Sequence, residues 1–182
     1  MGEKTLIIKK DTLWKAAAVL FAVLFIISLF TGGFGIGGKA VSDTGGTVDG
    51  PKALEGSTFS VTGDPVCKDA DGKPYVILFS TTTCPHCIWI KDTFDLLASE
   101  DFADKINLQH WELDTGDNTL TPKTETEVPE EMWTLFRTYS NGGVPTFVFG
   151  CSYMRLGNGY ERTQDLNAEM EDFRFVINKL LE

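Results

Sequence analysis

Four cysteines occur among the 182 residues, Cys67, Cys84, Cys87 and Cys151, and two of them stand in the run Cys84-Pro85-His86-Cys87. Two thiols at this spacing suit disulfide exchange or half of a metal site, and their placement separates the two. Tyr75–Phe79 (YVILF) is a continuous apolar run introduced by Asp71-Gly72-Lys73-Pro74, which reads as a strand buried on both faces. Pro85 falls where a helix tolerates proline, at its first position. Cys84 therefore lies between a strand end and a helix start. Free backbone N–H groups and the helix dipole favour an anion there, so a thiolate is stabilised. Cys87 lies one turn further on, in the apolar stripe Cys87, Ile90, Phe94 and Leu97, and faces the core. The arrangement predicts an attacking thiol, Cys84, and a resolving thiol, Cys87. His86 between them tunes the pair through positive charge or a hydrogen bond. The alternative is a structural zinc half-site. Zinc takes four ligands, and only Cys67, Cys151, His86 and His110 remain, without a second C-x-x-C or an H-x-x-x-H. Redox chemistry is the preferred reading, with no metal and no cofactor.

The elements that must hold this pair follow from periodicity. Thr58–Thr62 is a weakly signalled strand, and Ile106–Leu113 reads as a strand carrying His110, a packed or half-exposed residue. The segment 114–129 is polar and threonine-rich and reads as a surface loop. Glu130–Tyr139 forms a short helix. Gly142-Gly143-Val144-Pro145 then leads into a strand over Thr146–Phe149, and a turn at Gly150–Ser152 into Tyr153–Leu156 predicts a hairpin. A final helix is expected from an N-cap at Thr163, with Leu166, Met170, Phe173, Ile177 and Leu180 on one face. The order is β-α-β-α-β-β-α, an α/β domain over residues 55–182.

Cys84-Pro85-His86-Cys87, followed some sixty residues later by Val144-Pro145-Thr146 opening a strand, resembles the thioredoxin superfamily and, within it, the DsbA branch. The resemblance covers roughly residues 70–182 and implies a thioredoxin-like fold, a central mixed sheet flanked by helices. It implies that Pro145 is cis beside the cysteine pair, that the Val144 backbone pairs with substrate, and that Cys84 is the nucleophile. Two departures stand out. The position six residues before Cys84, where these proteins usually carry a buried carboxylate, is Leu78, so the proton acceptor of Cys87 is unassigned. The helical insertion of DsbA proteins is also absent. In such a sheet Cys151 falls at the end remote from Cys84, and Cys67, ahead of the first strand, reaches the same end. A structural disulfide between Cys67 and Cys151 is expected, with two free thiols as the alternative.

The N-terminal third has a different character. Ala16 to Phe30 is apolar apart from Ser28, and no charge occurs between Lys15 and Lys39. Extended through Ile36, the segment reaches the roughly 30 Å thickness of a bilayer core. A transmembrane anchor over 13–36 is the preferred reading and a cleaved signal peptide the alternative. Lys4, Lys9, Lys10 and Lys15 keep residues 1–12 cytoplasmic and send the rest outside. Gly33-Phe34-Gly35-Ile36-Gly37-Gly38 matches a dinucleotide-binding pattern but opens onto a Gly-rich stretch rather than a helix, so 37–54 reads as a linker. The formal net charge is −10, with +2 on residues 1–38, which leaves −12 on the remainder and excludes a general nucleic-acid binder.

Together these features predict a membrane-tethered thiol–disulfide oxidoreductase, single-pass in the cell membrane with its domain facing the periplasm or cell exterior. Its partners would be protein dithiols or disulfides, membrane lipid around the N-terminal helix and, as the DsbA resemblance implies, a membrane redox partner. Oxidation of substrate dithiols is the preferred direction. A tethered reductase or isomerase of the cytochrome c maturation type, and a non-catalytic redox or metal-holding adaptor, are the alternatives.

Overall fold

A computed structural model describes residues 52–182; the expected N-terminal segment 1–12, the anchor over 13–36 and the linker as far as residue 51 lie outside the described residues. Among the described residues no helix is long and apolar enough to cross a membrane. The elements are β1 (Lys52–Ala53), β2 (Ser60–Val61), β3 (Tyr75–Ser80), α1 (Pro85–Asp95), β4 (Asn107–Glu112), β5 (Asp117–Asn118), α2 (Glu130–Tyr139), β6 (Thr146–Phe149), β7 (Tyr153–Leu156) and α3 (Leu166–Leu181). They form a seven-stranded sheet in the order β1-β2-β7-β6-β3-β4-β5. The central strand β3 runs parallel to β4, reached by a crossover through α1, and antiparallel to β6. This mixed sheet with flanking helices is consistent with a thioredoxin-like fold.

All six residues of β3 are buried, and their alternation divides the core in two. Val76 and Leu78 face a cluster with Ile90 and Phe94 of α1 and Phe173, Val176 and Ile177 of α3. Tyr75, Ile77 and Phe79 face Met132 and Phe136 of α2. The first cluster is built on phenylalanine: Phe173 lies with its ring centroid 5.2 Å from Phe147, 5.8 Å from Phe94 and 5.9 Å from Phe149. Arg155 of β7 is buried against these rings, 4.5 Å from the centroid of Phe147, and is paired with Glu169 Oε2 at 2.7 Å and Asp172 Oδ2 at 3.2 Å. The ion pairs offset the cost of removing the guanidinium from water.

Three expectations change. Lys52–Ala53 pairs antiparallel with Ser60–Val61, so the sheet begins inside the stretch read as linker to residue 54. The segment 114–129 is not wholly a surface loop: Asp117–Asn118 pairs with β4, and Asn118 and Val128 are buried. A Cβ at Gly116 (φ +78°) would stand 2.6 Å from Glu127 N, so the segment doubles back closely on itself at a residue with no side chain. The cap of α3 is Asp165, whose Oδ1 accepts from Ala168 N at 2.9 Å, rather than Thr163. The Thr163 hydroxyl is instead turned back onto the Tyr160 carbonyl at 2.9 Å, and Gln164 takes a left-handed φ of 54° between the two.

Cys67 and Cys151 form a disulfide, with Cα atoms 5.4 Å apart. Cys67 N donates to Gly150 O at 2.9 Å and Tyr75 N donates to Cys67 O at 3.3 Å, so the bond sits where β3 begins and β6 ends. The turn into β7 needs Gly150: its φ is +58°, and a Cβ there would come 2.3 Å from Leu180 Cδ1. With the two cysteines 84 positions apart in sequence, chain-entropy arguments put the contribution of the bond at about 4–5 kcal/mol at most. The Cys67→Ser/Cys151→Ser double variant is expected to lose up to that amount in urea denaturation. Peptide mapping of the unreduced wild type should recover residues 67 and 151 on one linked pair.

Candidate active site

The strand–turn–helix that carries the cysteine pair is fixed from both sides. After β3, Cys84 N donates to Thr81 O at 3.3 Å to close a turn. Asp114, just past the end of β4, accepts from the backbone N–H of Thr82 at 3.1 Å and from its hydroxyl. The Thr82 hydroxyl bond is the chief reason that the Asp114 carboxyl lies below its usual range. Cys84 is the N-cap of α1, and Pro85 is the first helical residue. The Cys87 backbone N–H points at Cys84 Sγ, 3.3 Å away, so the sulfur occupies the place that a capping oxygen ordinarily takes. The first turn of α1 holds no acidic residue to oppose negative charge there. The first turn of α2, by contrast, carries Glu130 and Glu131.

The two thiols differ sharply. Cys84 is partly exposed and Cys87 is buried, and neither is in a disulfide. Burial, and next the hydrogen bond with Cys84, push the Cys87 thiol up from 9.0 to about 12, while the Thr81 backbone works in the other direction. Because the folded value is the raised one, the reduced protein keeps this contribution to stability below about 9 and loses it as pH rises toward about 12.

The Val144–Pro145 peptide bond is cis, and the Cys84 thiol faces the Val144 carbonyl at 3.8 Å. Gly157 N donates to Pro145 O at 2.8 Å, tying this turn to the end of β7. Val144 and Pro145 thus stand beside Cys84, sixty residues away in sequence. Cys67 and Cys151 lie at the far end of β3 and β6 and take no part in the site. Their sulfurs are consumed by each other, which removes two of the four candidate zinc ligands. Among the described residues no three His, Cys, Asp or Glu side chains converge as metal ligands.

His86 projects from the helix start and is largely exposed. Its Nδ1 lies 2.8 Å from Glu161 Oε1. Asn158 Nδ2 donates both to the His86 carbonyl and to Glu161 Oε2, each at 2.9 Å. Burial, the largest single influence on the Glu161 carboxyl, raises it, but the bonds from Asn158 and His86 outweigh that and the net displacement is downward. A cleft of about 730 Å³ lined by His86, Asn158, Glu161, Arg162 and Gln164 opens beside the helix start. Sequence reasoning missed Asn158, Glu161 and Asp114. The first two are more than seventy residues from His86 in an irregular segment with no periodic signal; Asp114 is legible only as an acid after a strand that runs parallel to β3.

No family model matches the chain, and no curated protein matches it. Among solved structures, the oxidoreductase NmDsbA1 from N. meningitidis is similar with a TM-score of 0.47 and 17% identity, over 71% of this chain and 96% of that one. Likeness of that degree says nothing of activity, which is left to the geometry of the site.

Cys84 is expected to be the thiol that reacts first. Alkylation of the reduced protein at mildly acidic pH should label Cys84 at least tenfold faster than Cys87, read by peptide mass. Labelling of Cys87 first would contradict the assignment.

Proposed function

We propose that this chain is a thiol–disulfide oxidoreductase tethered to the cell membrane by residues 13–36, with its domain outside the cytoplasm, and that it oxidises protein dithiols through Cys84 and Cys87. The observation that carries the reading is the asymmetry of the pair: one accessible sulfur held at a helix N-cap by the Cys87 amide, and one buried thiol pushed up to about 12. In the oxidised protein a substrate thiolate attacks Cys84 Sγ, breaks the Cys84–Cys87 bond and forms a mixed disulfide on Cys84. The substrate's second thiol then displaces Cys84, which departs as a thiolate that the helix N-terminus stabilises. A stabilised reduced form makes the disulfide a stronger oxidant.

The surroundings of Cys84 suit an extended, partly apolar peptide. Ile88, which follows Cys87, and Leu156, which pairs with Thr146 next to the cis-proline turn, are both exposed. The Val144 carbonyl is a free backbone acceptor beside the reacting sulfur once the Cys84 thiol has been converted to a disulfide. Reoxidation would fall to a membrane redox partner, a role that the N-terminal segment would favour by keeping the domain at the bilayer.

Equilibration with glutathione measures the direction. A reduction potential less negative than about −200 mV is expected for an oxidant, whereas a value near the roughly −270 mV of thioredoxin would support the reductase reading instead. Cys87→Ser should accumulate substrates on Cys84 as mixed disulfides, and Cys84→Ser should abolish both trapping and the oxidation of a dithiol peptide. Activity that persists in Cys84→Ser would overturn the proposal.

A further inference from the structure

Arg155, Glu169 and Asp172 are charged side chains sunk in the phenylalanine cluster, 5%, 0% and 5% exposed. A buried cation between two carboxylates seldom stabilises a fold beyond what apolar side chains of the same volume provide. What it offers instead is direction, because each nitrogen and oxygen holds a partner in a fixed geometry. Every guanidinium nitrogen of Arg155 donates. Nη2 donates to Glu169 Oε2 at 2.7 Å, Nη1 to Asp172 Oδ2 at 3.2 Å and to Thr58 Oγ1 at 2.6 Å, and Nε to the Gly157 carbonyl at 3.1 Å. The other oxygen of Glu169 accepts from Tyr160 N at 2.7 Å. Asp172 is held in turn by Ser57 Oγ at 2.5 Å and by Thr58 N at 3.1 Å. Two bonds of the triad thus leave the core for one short segment between β7 and α3, at Gly157 and at Tyr160. A Cβ at Gly159 would stand 2.5 Å from Thr58 Oγ1 and 3.0 Å from Arg155 Nη1, so the backbone of that segment is pressed onto the triad itself.

The same segment reaches the site twice. Gly157, whose carbonyl takes the Arg155 bond, donates its own N–H to Pro145 O at 2.8 Å. Pro145 follows Val144, whose carbonyl faces Cys84 Sγ at 3.8 Å. Tyr160, whose N–H is held by Glu169, is followed by Glu161, whose Oε1 lies 2.8 Å from His86 Nδ1. Hydrogen bonds and single peptide links therefore run from the buried guanidinium to the cis-proline turn by one route and to the first turn of α1 by the other. We propose that Arg155, with Glu169 and Asp172, is the positioning centre of the substrate-binding face, fixing the 157–161 segment and through it the places of the Val144 carbonyl and of His86 beside Cys84. The inference rests on the oxidoreductase reading above, in which a peptide lies along Val144 while its sulfur reacts at Cys84. None of the three touches substrate; they act through Gly157 and Tyr160. A peptide that binds across two separate turns needs both in place beforehand, because a turn drawn in on binding takes its ordering cost from the affinity. A small reagent that meets only the Cys84 sulfur has no such need. Loss of the triad should therefore appear in KM for a peptide and not in the reactivity of the sulfur.

The test compares the full-length wild type with two variants. Arg155→Met/Glu169→Gln/Asp172→Asn makes the triad neutral at similar volume. Arg155→Lys keeps the charge, but its single nitrogen cannot serve Gly157 and both carboxylates at once. For the oxidation of an unstructured peptide that carries two cysteines, KM should rise about tenfold in the triple variant and about threefold in Arg155→Lys, with kcat within about twofold of the wild type. Alkylation of reduced Cys84 by iodoacetamide should stay within about twofold in both, because the helix N-terminus that favours the thiolate is untouched. Near-UV circular dichroism at the assay temperature establishes that each variant is folded, and Arg155→Lys decides the matter if the triple variant is not. A wild-type KM in a folded variant would overturn the inference and leave the triad a purely structural feature. A loss of equal size toward the peptide and toward iodoacetamide would overturn it as well, since that marks a general loosening of the site. If the wild type oxidises no dithiol peptide, the oxidoreductase reading itself fails and this inference falls with it.

Discussion

Every residue of β3 from Tyr75 to Ser80 is shielded from water, and a strand without a solvent face has to lie in the middle of a sheet that is covered on both sides. The rest of the architecture answers that requirement. α1 and α3 close one face and α2 the other, while β4 and β6 occupy the two edges of β3. Because the chain leaves β3 directly into the turn before α1, the same burial that orders the sheet also delivers Cys84 to a helix N-terminus. The Cys84 sulfur is placed by the packing of an apolar strand that ends four residues away, and its contacts with the Cys87 amide and the Val144 carbonyl complete the placement.

What surrounds that sulfur is polar and comes from distant parts of the chain. Asp114 anchors the turn from the end of β4, the Val144 carbonyl approaches from the start of β6, and Glu161 with Asn158 holds His86 from the segment after β7. Each sits near an element end at the same end of the sheet, which is where a mixed α/β layer gathers loops. The His86 ring beside Cys84 is tied to the Glu161 carboxylate, with Nδ1 2.8 Å from Oε1.

Much of this was legible beforehand where a single physical signal dominates. A continuous apolar run marks β3, proline marks the first turn of α1, and a four-residue strand opened by Gly-Gly-Val-Pro marks β6; all three elements stand where their residues predict. The pairing of Cys67 with Cys151 was expected only through the strand directions that the family resemblance implies, with two free thiols as the alternative, and the disulfide is present. The failures share a cause. Thr163 and Asp165 are both good caps, and the sequence alone does not reveal that the threonine hydroxyl is already committed to Tyr160. The polar segment 114–129 looked solvated because its buried residues are isolated: Asn118 is buried where it pairs with β4 and Val128 where it packs beside Met132 and Phe136, and no apolar periodicity joins them. His110 was read as packed or half-exposed, and it is fully buried. Its partners Ser80 and Asp95 come from two other elements, and no spacing rule joins them.

The disulfide at the far end of the sheet has a consequence of covalent connectivity. The ring closed by Cys67 and Cys151 contains β3, α1, the whole of the 114–129 segment, α2 and β6, and with them both Cys84–Cys87 and Val144–Pro145. A protease that cuts the exposed part of the 114–129 segment therefore opens a loop without dividing the molecule. The two halves of the site, one on each side of such a cut, stay on a single covalent framework for as long as the remote bond survives. The bond between Cys67 and Cys151, remote from the site, is thus what keeps Cys84, Cys87 and the cis-proline turn in one piece after such a cut.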